Sequence, residues 1–222
     1  MKSSSGVRLV FIHGWALGPA IWDLVGPRLE KFPQARVDLG YFGAAGAPAA
    51  LSDAFSDPRP GDILVGHSAG FLWGLRQRPD WAGAVAINSF SRFCLDARGR
   101  GCVQLAQLRA MRTALARDAD QSVKNFRAFI AAPPPGPANA AALAEGLALL
   151  ADFDAAPQLG NRPLCVLAAR DDVLAPLSEA ENLARTAGGT LALSAKGGHG
   201  LPWTAPKFCA EKIEAFLNAH GF

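Results

Sequence analysis

The chain has 222 residues, half of them hydrophobic and 18% charged, with a formal net charge of +3. That is enough apolar material for a single α/β domain with a sizeable core and an inserted segment. The charge is too mild to point to nucleic acid, no apolar run approaches the ~20 residues that span a bilayer, and Met1 to Gly6 carry no signal-peptide core, so a cytoplasmic protein with no membrane partner is expected.

In chain order, Val7 to Ile12 (VRLVFI) reads as a buried strand and runs directly into His13-Gly14-Trp15. A helix is expected over 19–32 and a second strand over 35–39. The third strand, over 62–66, ends in Gly66-His67-Ser68-Ala69-Gly70, a G-x-S-x-G pentapeptide. A helix over 68–78 follows it. A serine on a tight turn between strand and helix presents its hydroxyl outward, and the flanking glycines allow the close backbone approach that such a turn needs. A fourth strand is expected over 83–88.

The alternation then breaks. From 91 to 155 there is no strand pattern, and the stretch is too long for a loop, so a helical insertion is expected. Leu105, Leu108, Met111 and Leu115 form an apolar helical stripe within 104–118. Pro133-Pro134-Pro135-Gly136-Pro137 must interrupt any helix, and Asn139 to Leu150 is an alanine-rich helix.

Strand and helix resume over 163–169, 177–187, 190–194 and 206–219. Arg170-Asp171-Asp172 follows the first of these strands, and Gly197-Gly198-His199-Gly200 follows the second. Strands that alternate with helices imply a parallel sheet of about six strands with helices on both faces. The core is expected from 1–90 and 156–222, and the helical insertion from 91–155. Only six residues precede the first strand, so no antiparallel opening hairpin is expected. Cys94, Cys102, Cys165 and Cys209 form no C-x-x-C pair, so zinc is not expected. No other cofactor is called for.

Ser68, an aspartate and His199 occur in that chain order. Serine is a weak nucleophile at neutral pH. It needs an imidazole as general base, and the imidazole needs a carboxylate to fix its tautomer. His199 lies where a base is wanted, on a glycine-rich loop at the C-terminal edge of the strands. His67 should point away from the nucleophile, since adjacent side chains at a strand end alternate. His13 should pack beneath its turn, and His220 lies beside the terminus. Asp171 and Asp172 are both open as the carboxylate.

These motifs resemble the α/β-hydrolase superfamily over almost the whole chain, and more closely the pimeloyl-[acyl-carrier protein] methyl ester esterases of biotin synthesis. The closer likeness rests on His13-Gly14-Trp15-Ala16-Leu17 with Trp22, on Val37-Asp38-Leu39 with Phe42-Gly43, on Gln121 to Phe126, and on Gly146 to Leu150 with Asp152-Phe153-Asp154. The resemblance implies a serine carboxylesterase that works through an acyl-enzyme and needs no cofactor. It implies backbone amides of Trp15 and Ala69 as the oxyanion hole. It favours Asp172 over Asp171, because Asp172 stands four residues before Pro176 in a D-x-x-V-P-like pattern. It makes the insertion a lid over the serine. Three departures stand out: Gly40 replaces a usual proline, His67 a usual tryptophan, and Ala69 a usual leucine. The last two flank the nucleophile and put acyl-chain selectivity in question.

Between Arg92 and Arg127 eight basic residues face three acidic ones. One reading is a docking surface for an acidic acyl carrier protein, centred on Arg109, Arg112 and Arg117. The other is a solvated helix face. The leading functional expectation is hydrolysis of a carrier-bound pimeloyl methyl ester. A broad short-acyl esterase, lactone or C–C bond hydrolysis, and a non-catalytic hydrolase-like receptor are the alternatives.

Overall fold

The computed structural model describes residues 6–43, 55, 57–128, 130 and 136–222. Among them six strands form one parallel sheet: β1 (Arg8–Ile12), β2 (Gln34–Val37), β3 (Asp62–His67), β4 (Gly83–Ile87), β5 (Leu164–Ala169) and β6 (Thr190–Ser194). Their order is β2-β1-β3-β4-β5-β6. The four strands β1, β3, β4 and β5 are buried from end to end. That is why they read as near-continuous apolar runs rather than as alternating ones.

The two faces nevertheless divide by a period of two. Val10, Ile12, Leu64, Val166 and Ala168 point into one core. Leu9, Phe11, Ile63, Val65, Cys165 and Leu167 point into the other. The first core is closed by helices α1 (Ala69–Gln77) and α6 (Leu177–Ala187), through Leu72, Leu75 and Leu183. The second is closed by α8 (Pro206–His220), which follows the short α7 (Leu201–Thr204), through Cys209, Ile213, Phe216 and Leu217.

The expected helix over 19–32 is not formed. The chain makes two short 3-10 helices instead, Pro19–Trp22 and Gly26–Leu29. Pro27 has no N–H to give to the carbonyl four residues back. The segment is held by i→i+3 bonds, including Ile21 to Gly18, Val25 to Trp22 and Arg28 to Val25. Ile21, Trp22, Val25 and Leu29 are buried all the same, so the apolar spacing survived while the helix type changed.

Between β4 and β5 lie α2 (Leu105–Arg117), α3 (Ala119–Arg127), α4 (Ala140–Asp152) and the short α5 (Ala156–Leu159). Pro133, Pro134 and Pro135 of the proline run lie outside the described residues. Each of the three longer helices starts on a polar cap. Gln104 and Gln107 form a reciprocal capping box, Asp118 accepts from Gln121 N–H, and Asn139 accepts from Ala142 N–H. Their apolar residues Leu108, Leu115, Val123, Leu143 and Leu147 join the same core as α1 and α6. The ends of the segment are tied together: Ala155 N–H donates to the Ser91 carbonyl at 2.7 Å. Arg92 and Arg100 both reach Asp96 and Asp154.

The departure at Gly40 has a backbone cause. Its φ is +69°, which the proline ring forbids. Its N–H, which proline lacks, donates to Asp38 Oδ1 at 2.9 Å.

Candidate active site

The chain runs from β1 outward to β2, then returns past β1 to β3 and continues through β4 in the opposite direction. The carboxyl ends of β1 and β3 therefore flank the point where the winding reverses, and ligands of open α/β sheets bind there. The His13-Gly14-Trp15 turn leaves β1 at that point, and Ser68 leaves β3 beside it.

Ser68 has φ +51° and ψ −127°, a strained conformation for a side-chain-bearing residue. The pentapeptide glycines make it possible by steric necessity. A Cβ on Gly66 would stand 2.4 Å from the Phe71 Cα, and one on Gly70 would stand 2.3 Å from the His13 carbonyl oxygen. Both obstacles are backbone and cannot rotate away. Gly70→Ala is therefore expected to push α1 off β1 and destabilise the fold by about 1–3 kcal/mol. It should also lower esterase turnover, because the turn after β1 moves with it. Urea unfolding of the purified variant measures the first effect; an unchanged midpoint would show that the contact is slack.

Ser68 O–H donates to His199 Nε2 at 3.0 Å, and His199 Nδ1–H donates to Asp172 Oδ2 at 2.8 Å. The Asp172 carboxylate is fully buried and His199 is 3% exposed. The second oxygen of Asp172 accepts from Leu174 N–H at 2.8 Å and Ala175 N–H at 3.0 Å. Those bonds fix the carboxylate and leave Nδ1–H as the tautomer on His199, with Nε2 as the acceptor that faces the Ser68 hydroxyl. Asp171 points elsewhere. It accepts from Gly198 N–H at 2.8 Å and Gly197 N–H at 3.3 Å. Those backbone bonds, with Lys196 nearby, hold its carboxyl below the usual range. It is a brace for the loop that carries His199.

Ala69 opens α1, so its N–H belongs to the unpaired first turn of the helix. A Cβ on Gly14 would come within 3.0 Å of the Ser68 Cβ, so the turn sits directly against the serine. The Trp15 side chain does more than line the site. Its Nε1–H donates to the Leu143 carbonyl on α4 at 2.9 Å, and its ring meets Phe126 of α3 edge-on at 4.9 Å. Arg127 adds a bond from Nη1 to the Ala16 carbonyl at 3.0 Å. The helical segment is thereby fastened to the turn beside Ser68.

A cavity of about 500 Å³ opens over Ser68 and His199, walled by Phe90, Phe93, Met111 and Leu150. His67 and Ala69 are not among its lining residues, so the two departures beside Ser68 do not shape its wall. A second depression between α2 and α3 shares Ala114, Ser122 and Asn125 with the cavity and continues to Arg117. Arg109, Arg112 and Arg117 are exposed and form no ion pair among the described residues. The basic surplus is smaller than the sequence suggests, because Arg92 and Arg100 are paired and Arg127 is turned inward.

Two contributors were not singled out from the sequence. Asn88, just past β4, donates from Nδ2 to the Gly198 and His199 carbonyls. Ser89 Oγ donates to the Ser68 carbonyl at 2.8 Å. A polar pair that directly follows an apolar strand at the ligand-binding edge was the available signal.

Among the described residues no helix is long and apolar enough to cross a membrane. No family model matches the chain. A pimeloyl-[acyl-carrier protein] methyl ester esterase of Vibrio vulnificus is 31% identical, over 80% of this chain and 81% of its own length. Another of that name, from Aromatoleum aromaticum, is 29% identical over 93% and 96%. Among solved structures, an esterase from Exiguobacterium antarcticum superposes with a TM-score of 0.80 at 16% identity, covering 97% of this chain and 93% of that one. A bromoperoxidase from Bacillus anthracis gives 0.78 at 19% identity, covering 96% and 92%. The structural likeness carries the α/β-hydrolase fold, and the sequence relatives carry ester hydrolysis. The chain belongs to the pimeloyl-[acyl-carrier protein] methyl ester esterase family.

Proposed function

We propose that the protein is a serine carboxylesterase acting through an acyl-enzyme, and that its substrate is a pimeloyl-type methyl ester carried by an acyl carrier protein in the cytoplasm. The observation that carries the chemistry is the unbroken hydrogen-bonded chain from Asp172 through His199 to Ser68. Ser68 Oγ attacks the ester carbonyl while His199 Nε2 takes its proton. The amides of Trp15 and Ala69 hold the oxyanion, where each donor is worth about 3–4 kcal/mol. His199 returns the proton to the departing methanol, then takes one from water, and hydrolysis of the acyl-enzyme frees the carboxylate and Ser68. Asp172 keeps the imidazole in register throughout. A non-catalytic receptor would not react with a fluorophosphonate, whereas this protein is expected to be labelled at Ser68.

The substrate assignment takes its name from the relatives. What supports it here is the continuous path from the apolar cavity past Ala114, Ser122 and Asn125 to Arg117. An acyl chain would fill the cavity under the 91–155 lid, and its tether would leave between α2 and α3 toward the exposed arginines. Chain selectivity would then lie with Phe90, Phe93 and Met111.

Charge reversal of Arg109, Arg112 and Arg117 together tests the docking. Each exposed contact is worth on the order of 1 kcal/mol or less, so the triple change is expected to lower kcat/KM for the carrier-bound ester by roughly 10–100-fold. The wild-type rate on that substrate should also fall steeply with added salt. A free methyl ester of similar length should be hydrolysed as before. Equal losses on both substrates would point to a damaged lid, and no loss on either would leave the arginines as a solvated face.

A further inference from the structure

His67 is fully buried and is absent from the cavity wall. Its Nε2 lies 2.7 Å from the main-chain carbonyl of His199. A carbonyl can only accept, so Nε2 carries the hydrogen and Nδ1 is bare. Nδ1 is buried without a hydrogen-bond partner. It lies against the turn after β1: a Cβ on Gly14 would come within 2.9 Å of it. The ring therefore fills the space between the loop that carries His199 and the turn that carries Trp15.

The same carbonyl of His199 accepts a second bond, from Asn88 Nδ2 at 3.0 Å. Asn88 is itself pinned. Its N–H donates to Leu167, its Oδ1 accepts from Ala169 N–H, and its φ is +45°. The residues on either side of it hold the serine: Ile87 accepts from Ser68 N–H at 3.0 Å, and Ser89 Oγ donates to the Ser68 carbonyl. Three consecutive residues at the end of β4, Ile87 to Ser89, thus brace Ser68 and His199 from one rigid point.

We propose that His67 is a positioning residue for His199: its Nε2–H, with Asn88, clamps the His199 carbonyl, and its ring sets the separation between the base and the oxyanion turn. The inference rests on the serine-esterase reading above. The clamp requires a neutral ring. Protonation would put a hydrogen on Nδ1 with no acceptor, beside the imidazolium that His199 becomes during turnover. Burial, and then the charge on His199 at a ring separation of 5.0 Å, push the His67 pKa down to about 3. Asp172 and His13 are the other charged or titratable groups that bear on it.

His67→Met keeps volume and removes the donor, whereas His67→Gln keeps a donor at the place of Nε2. Mispositioning of a reacting group by about 1 Å costs on the order of 10²-fold, so His67→Met is expected to lose that order of kcat with KM little changed. His67→Gln should recover most of the loss. Titration with a fluorophosphonate should find the same fraction of reactive sites in both variants, reacting more slowly in His67→Met. A merely structural role would instead lower the reactive fraction and the thermal midpoint together. Wild-type kcat in His67→Met, or an equal loss in His67→Gln, overturns the proposal.

A measurement on the wild-type protein covers the case in which neither variant folds. Nitrogen-15 NMR of labelled histidine should show His67 as the neutral Nε2–H tautomer between about pH 5 and pH 8, the range in which an ordinary histidine titrates. An Nδ1–H tautomer, or titration within that range, sinks the clamp. A wild-type protein that neither hydrolyses esters nor reacts with the fluorophosphonate would overturn the esterase reading and this inference with it. An active wild type with an indifferent His67 overturns the inference alone.

Discussion

Ser68→Ala is expected to abolish ester hydrolysis, with a loss of about 10⁴–10⁶-fold in kcat, while the protein stays folded. Alanine keeps the Cβ and the backbone, so it enters the same turn at φ +51°. The only side-chain hydrogen bond given up is the one to His199 Nε2. Stability should therefore change by less than about 1 kcal/mol. The bonds from Ser68 N–H to Ile87 and from Ser89 Oγ to the Ser68 carbonyl use only backbone atoms of Ser68 and survive the change. Turnover of a p-nitrophenyl ester, read beside a thermal melt, checks both halves. A folded variant that retained substantial turnover would mean that some other group attacks the ester.

The second large effect separates two adjacent carboxylates. Asp172→Asn is expected to cost about 10⁴-fold in kcat, by analogy with the loss when a serine protease histidine is held in the wrong tautomer. The amide can still accept from Leu174 and Ala175 N–H through Oδ1, so the loop keeps its shape. On the Oδ2 side it presents N–H₂ to His199 Nδ1, which then loses its hydrogen and moves it to Nε2. Nε2 can no longer take the serine proton. Asp171→Asn should cost far less. Its oxygen can still receive Gly198 N–H, and Asp171 makes no bond to His199 itself. The sign of the remaining pH effect follows from the lowered pKa of Asp171. Its tie to Gly197 and Gly198 is fully formed above the ordinary carboxylate pKa and is lost as pH falls through the depressed value. Steady-state kinetics of both variants decide the assignment, and the reverse order of losses would transfer the role to Asp171.

The parallel sheet was legible because its central strands are buried on both faces, and such strands must be short apolar runs bounded by turn residues. β6 was placed over 190–194, where the structure has it. The serine turn was legible for a related reason. Gly66 and Gly70 each stand where a Cβ would strike backbone, so the close approach leaves its mark in residue type. His199 stood out by its place after the last strand. The helix over 19–32 misled because apolar spacing records which side chains are buried and does not record the hydrogen-bond ladder, which Pro27 interrupts.

Other features depended on atoms far apart in the chain. The spacing to Pro176 favours Asp172 over Asp171 only through the family pattern. In space the two differ: Asp172 meets the Leu174 and Ala175 amides and an imidazole 27 residues away. Eight basic residues in one stretch look alike in sequence, yet Arg92 and Arg100 are paired with Asp96 and Asp154 and Arg127 is bound to the Ala16 carbonyl. Only Arg98, Arg109, Arg112, Arg117 and Lys124 are left without such a partner among the described residues. His67 read as a residue pointing away from the nucleophile, with no partner named for it. What it points toward is the carbonyl of His199, 132 positions along the chain. Burial and turn chemistry are written residue by residue, because each depends on one side chain and its immediate neighbours. The partner of a hydrogen bond depends on where two distant segments meet, and only the folded chain brings them together.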